Sequence, residues 1–229
     1  YTVWLAGEFK SLTPHFAGSC QKIDGVGGVE DIVIDRAAGI AWLASDDRRA
    51  ARNGKSGNGA LWSLDLNTAD ARPVNRTPAP GFAFHPHGLG LYAGPDGPVL
   101  TVINHGSGSG VMDGAADTVE VFNSSGVALK HTGTIKGDLF RSLNDIQPVG
   151  QGKFYATVDH GNPTGFGRML EDYARLPLAK VLYFDGQQAR QVAGDIRYAN
   201  GVNVSADGET VYVAGTTDRA VHVFGRDIV

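Results

Sequence analysis

The chain has 229 residues, 42% of them apolar and 32 of them glycine, so it can bury a substantial core around many tight turns. Its net charge is −4 with Lys and Arg scattered along its length, which excludes the basic footprint of a nucleic-acid-binding protein. No apolar run approaches the roughly 18 residues that read as a membrane span.

In chain order, residues 32–35 read as a strand, with 39–45 as its antiparallel partner and 60–66 as a third strand alternating in period two. The pattern recurs at 88–92, 99–104 and 117–122, with the turn Pro95-Asp96-Gly97 between the first two. It recurs again at 145–149, 153–158, 179–185 and 188–192, and finally at 201–205, 210–214 and 219–224, with the turn Ala206-Asp207-Gly208. Asp-Gly between alternating runs signals a hairpin. Only residues 164–176 depart from the pattern, and 169–176 read as two helical turns inside a long loop.

Tyr1 stands where a start methionine would, which predicts a processed chain or a segment of a longer one, with any targeting sequence out of view. Cys20 is the sole cysteine and by itself reads as a small buried hydrophobe. Asn75, Asn123 and Asn203 begin glycosylation sequons, at a frequency that chance supplies.

Four polar residues fall at nearly equal steps: Glu30, His87, Asn144 and Asn200 lie 57, 57 and 56 residues apart. They open the segments Glu30-Asp31-Ile32, His87-Gly88-Leu89, Asn144-Asp145-Ile146 and Asn200-Gly201-Val202, each followed by short alternating strands. Such a period with four short strands per repeat predicts an all-β chain folded as a β-propeller, with about four blades over residues 1–229 as a single domain. The fourth repeat lacks its last strand unless residues 1–5 supply it, and the next anchor falls near position 256, so a larger, truncated ring is the expectation. An unclosed ring leaves bare strand edges.

Inner strands of a propeller start near its axis, so Glu30, His87, Asn144 and Asn200 are expected to converge there. A carboxylate and two carboxamides are hard oxygen ligands suited to Ca²⁺, whereas a set poor in thiolates disfavours structural zinc. Turn residues satisfying backbone groups are the alternative. Asp31, Asp145 and the backbone at Leu89 form a second layer, either another oxygen site or a set of turn caps. His87 and His105, joined through one hairpin, are candidates for proton transfer to and from water, and His160 ends the corresponding strand of the third repeat; each alone reads equally as a satisfied structural histidine.

Taken together, Gly28-Val29-Glu30-Asp31-Ile32, Phe84-His85-Pro86-His87-Gly88, Val102-Ile103-Asn104-His105, Asn144-Asp145-Ile146, residues 154–160 and Ala199-Asn200-Gly201-Val202 resemble the paraoxonase/arylesterase family of six-bladed, calcium-dependent lactonases. The resemblance covers residues 20–224. It implies a catalytic calcium on Glu30, Asn144 and Asn200, and a structural calcium on Asp31, Asp145 and the carbonyl of Leu89. It implies His87 and His105 as a histidine dyad, His160 as a further active-site histidine, and Asn104 and Tyr198 beside the substrate.

In this picture His87 is the base on the attacking water and His105 orients it. The expected partners are a small-molecule lactone or ester, with association to a membrane surface and a closing C-terminal segment or second chain also admitted. Cys20 matches one half of a family disulfide, which implies an exported, secreted or periplasmic protein. The Asp-Asn pair that completes the catalytic calcium, and the partner of Cys20, would lie beyond Val229. The loop after Ser45 is unlike the family's lid, where an aromatic residue reaches the pocket. A non-catalytic calcium-stabilised propeller, and a sugar-lactonase or strictosidine-synthase-like propeller, are the alternatives.

Overall fold

A computed structural model of the chain describes residues 3–4, 7–11, 13–55, 57–78, 81–106 and 116–226. Their strands form four antiparallel sheets, each a simple meander. The first holds β1 (Val29–Asp35), β2 (Ile40–Ser45), β3 (Ala60–Asp65) and β4 (Val74–Asn75). The second holds β5 (Pro86–Gly94), β6 (Gly97–Asn104), β7 (Thr118–Ser125) and β8 (Ala128–Ile135). The third holds β9 (Leu143–Gly150), β10 (Lys153–Val158), β11 (Ala179–Phe184) and β12 (Ala189–Ile196). The fourth holds β13 (Ala199–Val204), β14 (Thr210–Gly215) and β15 (Ala220–Gly225).

The first strand of each sheet touches the first strand of the next: β1 meets β5, β5 meets β9, and β9 meets β13. Sheets joined in sequence through their innermost strands are the blades of a β-propeller. The sequence predicted thirteen of these fifteen strands. It missed β4 and β8, the outermost strands of their blades, where β4 is only two residues long and half of β8 faces solvent. In the fourth sheet no fourth strand pairs with β15 among the described residues. Val3 and Trp4 lie in a helical turn, and Tyr1, Thr2 and Leu5 fall outside the described residues.

The core lies between blades: among the described residues the second and third sheets pack against a neighbour on each side, whereas the first and fourth have one neighbour each and leave Ile32, Ile34, Val221 and Val223 exposed. Trp42, Ala44 and Leu61 of the first blade pack on Leu89, Leu100, Val102 and Phe122 of the second. Ile103 and Val119 of the second pack on Leu143, Ile146, Phe154 and Leu182 of the third, with Phe140 filling the gap. Tyr155, Val181 and Ile196 of the third pack on Ala199, Val202, Val211 and Val213 of the fourth. Strands in the middle of a blade, such as β2 and β10, are therefore buried almost continuously, while period-two burial is clearest where one face is open, as in β1 and β8.

Two short helices interrupt the blades. α1 (Arg48–Arg52) arises in the loop after Ser45, started by the Asp47 carboxylate, which accepts the Ala50 N–H at 2.9 Å. α2 (Gly165–Ala174) starts four residues before the predicted helix and ends at Arg175, in the left-handed region with φ 53°. Its Phe166, Met169, Leu170 and Tyr173 are exposed, while Glu171 is buried. The Glu171 carboxylate accepts the N–H groups of Gly161 and Asn162 at 2.9 Å each and the Asn162 side-chain amide at 3.0 Å, tying the helix to the end of β10.

Candidate active site and metal centre

The four repeated polar residues sit at one irregularity, copied in every blade. Along β1 the register slips by one residue at Glu30. A one-residue bulge at the same place holds His87 and Gly88 on β5, Asn144 and Asp145 on β9, and Asn200 and Gly201 on β13.

A bulge bends its strand and re-aims the side chains at it, a device common beside active sites. The entry turn also recurs. Two residues before the anchor, Gly28, Ser142 and Tyr198 have φ of 64°, 56° and 56°. The carbonyls of Gly28, His85, Ser142 and Tyr198 accept N–H bonds from Asp46, His105, Asp159 and Thr216, respectively. Those four donors form a second set of equivalent positions just past each second strand. In the third blade it is Asp159, rather than the expected His160, that matches His105.

The second layer expected from the sequence is a tight inter-blade network. Asp31 accepts the Leu89 N–H of the next blade at 2.7 Å, and Asp145 accepts the Val202 N–H of its next blade at 2.7 Å. The two carboxyls also act on each other. Burial, then the Asp31 charge and that of Glu30, push the Asp145 carboxyl up to about 7. Burial also raises Asp31, against the N–H bonds from Leu89 and Ile32. Glu30 is raised by its partial burial and by Asp31, with Arg48 opposing.

The Thr157 hydroxyl donates to the main-chain oxygen of Asn200 at 2.6 Å and accepts the Asp145 N–H at 3.0 Å. The anchors of β9 and β13 are thereby joined. The donor set is rich in oxygen, and the Asp31 charge opposes ionisation of Glu30 and, with that of Glu30, of Asp145, so it fits a hard divalent cation whose charge would relieve that repulsion. Among the described residues no three His, Cys, Asp or Glu side chains form a metal cage by themselves, so carboxamide and main-chain oxygens would have to complete any such shell.

Beside this cluster lies the histidine pair. The rings of His87 and His105 are 4.9 Å apart, and both are almost wholly buried. His87 Nε2 is 3.5 Å from a Glu30 carboxylate oxygen, and the Arg48 guanidinium donates to His87 Nδ1. Burial, with the charges of Arg48 and His105, holds His87 well below the usual histidine range. His105 Nδ1 meets Asp117 Oδ1 at 2.7 Å. The Nε2 atoms of His87 and His105 have no hydrogen-bond partner among the described residues.

His160 is held on both sides, by Asp159 at 2.8 Å through Nδ1 and by Asp172 of α2 at 2.7 Å through Nε2. Burial lowers its pKa, but these two carboxylates outweigh it and leave His160 above the usual range. Tyr198 packs edge-on at 5.0 Å. Asp159 also accepts the Ser142 hydroxyl at 2.5 Å and the Asn144 side-chain amide at 3.4 Å, linking His160 to an anchor residue. Asn104 is buried with its amide committed inside the second blade: its oxygen accepts the His85 N–H, and its nitrogen donates to Ala83 and Thr118. Cys20 is exposed with its thiol free.

The sequence reading missed Arg48, Asp117 and Asp159 as members of the site. Asp159 had a signal, since it stands at the repeat position of His105. Arg48 and Asp117 had none, because Arg48 opens a helix outside the repeated strands and nothing in the run 117–122 marks its first residue as a partner of His105.

Comparison with known proteins agrees with this architecture. The Arylesterase family model matches residues 51–228. Serum paraoxonase/arylesterase 2 of Gallus gallus is 31% identical over 223 residues, covering 93% of this chain and 61% of the relative. Serum paraoxonase/lactonase 3 of Oryctolagus cuniculus is 31% identical over 226 residues, covering 95% and 62%. The chain thus spans less than two thirds of the length of these curated relatives. Among solved structures, a gluconolactonase from Xanthomonas campestris superposes with a TM-score of 0.56 at 13% identity, covering 90% of this chain and 58% of that one. Regucalcin from Agrobacterium tumefaciens, a calcium-binding protein, gives 0.52 at 16% identity, covering 88% and 55%. At such identities these two share the propeller fold.

Proposed function

Since this chain belongs to the arylesterase family, we propose that it serves calcium-dependent hydrolysis of lactones, with aryl esters as secondary substrates. One observation carries the reading most directly. A buried histidine pair abuts, through the 3.5 Å approach of His87 to Glu30, a carboxyl cluster whose charges call for a cation. Proton transfer and carbonyl activation are the two needs of ester hydrolysis, and here they adjoin.

Glu30, Asn144 and Asn200 would hold the catalytic calcium, and Asp31, Asp145 and the Leu89 carbonyl a structural one. When bound, calcium supplies Lewis acidity to the substrate carbonyl and to the oxyanion that develops there. The protein's own groups move the proton: the imidazole pair takes it from water and returns it to the leaving oxygen. His160 and Tyr198 form the wall on the third-blade side, with Asp159 and Asp172 fixing the ring. The exposed apolar face of α2 supports association with a membrane surface.

Calcium removal with a chelator, followed by lactone and aryl acetate assays before and after calcium is restored, tests the reading. Activity should vanish and return. Undiminished hydrolysis without calcium sinks the mechanism. A protein that calcium stabilises but that hydrolyses neither substrate is instead a calcium-stabilised binding propeller.

A further inference from the structure

Asp117 is a buried carboxylate just ahead of β7, with three connections. Oδ1 lies 2.7 Å from His105 Nδ1, Oδ2 accepts the Leu143 N–H at 2.8 Å, and its own N–H donates to the Phe140 carbonyl at 2.9 Å. An ionised carboxylate only accepts hydrogen bonds. Neutral His105 must therefore carry its proton on Nδ1, leaving a lone pair on Nε2.

At His87 the polarity reverses. A guanidinium only donates, so the Arg48 contact makes His87 Nδ1 the acceptor and puts the proton on Nε2, which faces the Glu30 carboxylate. Two adjacent imidazoles are thus set in opposite tautomers by partners of opposite charge.

Resting on the hydrolase reading, we propose that Asp117 and Arg48 are positioning residues that divide the pair, with His105 the base that activates water and His87 a hydrogen-bond donor. This reverses the order expected from the sequence. In the step, water gives a proton to His105 Nε2 as its oxygen bonds to the carbonyl carbon. The imidazolium then returns that proton to the alkoxide oxygen as the carbon–oxygen bond of the ring breaks, giving the hydroxy acid. Asp117 stabilises the imidazolium between these events without taking the proton, as a buried carboxylate does behind a catalytic histidine. The Nε2–H of His87 donates to the oxygens of the reacting group.

The test combines tautomer assignment with kinetics on the calcium-loaded chain. In ¹⁵N-histidine-labelled protein, His105 should show the Nδ1–H form and His87 the Nε2–H form. Asp117→Asn should lose or invert the His105 tautomer and lower kcat about 10²–10⁴-fold while KM changes little. His105→Gln should lower kcat more than His87→Gln, because a glutamine amide still donates at the second site.

An Nε2–H form at His105 in the unaltered protein, a folded Asp117→Asn with unchanged kcat, or the reverse order of the two glutamine variants would each overturn the proposal. Tautomers are read without substrate and without any variant. They therefore decide the matter even if Asp117→Asn does not fold. An unaltered protein that hydrolyses no lactone or ester counts against the hydrolase reading, while the tautomers still decide the positioning roles.

Discussion

The carboxyl of Asp145, on the third blade, interacts with that of Asp31, on the first, and each also accepts an N–H from the blade that follows it. A single pair of acids thus spans the four inner strands. Burial and the charges of Asp31 and Glu30 push the Asp145 carboxyl up to about 7. Unfolded, the same carboxyl titrates near 3.8. Between those two values the folded state binds a proton that the unfolded state has lost, so stability falls as pH rises through this window and levels off above it.

Without calcium, the melting temperature should therefore decline from about pH 5 to 7, by an amount reflecting a few kcal/mol. Asp145→Asn should flatten that slope, and saturating calcium should do the same by replacing the proton. Calorimetry at several pH values checks this; equal slopes in chelator for the unaltered and Asn proteins would contradict it.

Gly88 sits where β5 passes close to the β9 backbone. A Cβ there would lie 2.5 Å from the Asn144 carbonyl oxygen and 2.7 Å from the Asp145 Cα, both backbone atoms that cannot swing aside. Gly88→Ala should force the two inner strands apart, costing about 1–3 kcal/mol and weakening calcium binding. Gly133→Ala, with open space around the new methyl, should leave stability within about 0.5 kcal/mol. Urea denaturation of both variants makes the comparison.

Asn200 is fixed in place through its main chain by Thr157, so removing its side chain should leave β13 where it is. Asn200→Ala is expected to weaken calcium binding by at least about tenfold and to lower turnover with it. His87→Gln should lower turnover with little change in calcium affinity. Titration calorimetry beside a lactonase assay separates the two effects, and parallel losses in both variants would refute the distinction.

Glu171 accepts three N–H bonds at the foot of α2, next to the Asp172 that holds His160. Glu171→Ala strands those donors and should cost about 1–3 kcal/mol. Faster amide exchange should appear at Gly161 and Asn162 and through α2, with little change in the first blade. Uniform protection across the variant would show that the carboxylate does not anchor the helix.

Repetition made much of this molecule legible in advance. Three nearly equal steps between four anchors, each followed by short alternating strands, dictate blades, because a strand covered more on one face than on the other carries a period-two imprint. They also dictate that Glu30, His87, Asn144 and Asn200 occupy equivalent places, since equal spacing in a rotational fold means equal position. β4 escaped because it is only two residues long, and β8 because its inward positions, Leu129, His131, Gly133 and Ile135, are apolar only at the two ends, so its alternating burial leaves little mark in the sequence.

Tertiary structure alone decided how those places are aimed and what partners them. One-residue bulges, which leave no reliable trace in composition, hold all four anchors, and among them His87 and Glu30 approach to 3.5 Å. Arg48 meets His87 from the start of α1 and Asp117 meets His105 from just ahead of β7, and such contacts depend on where those segments land in space. Hydrogen bonds act over about 3 Å, a scale on which periodicity in sequence carries no information.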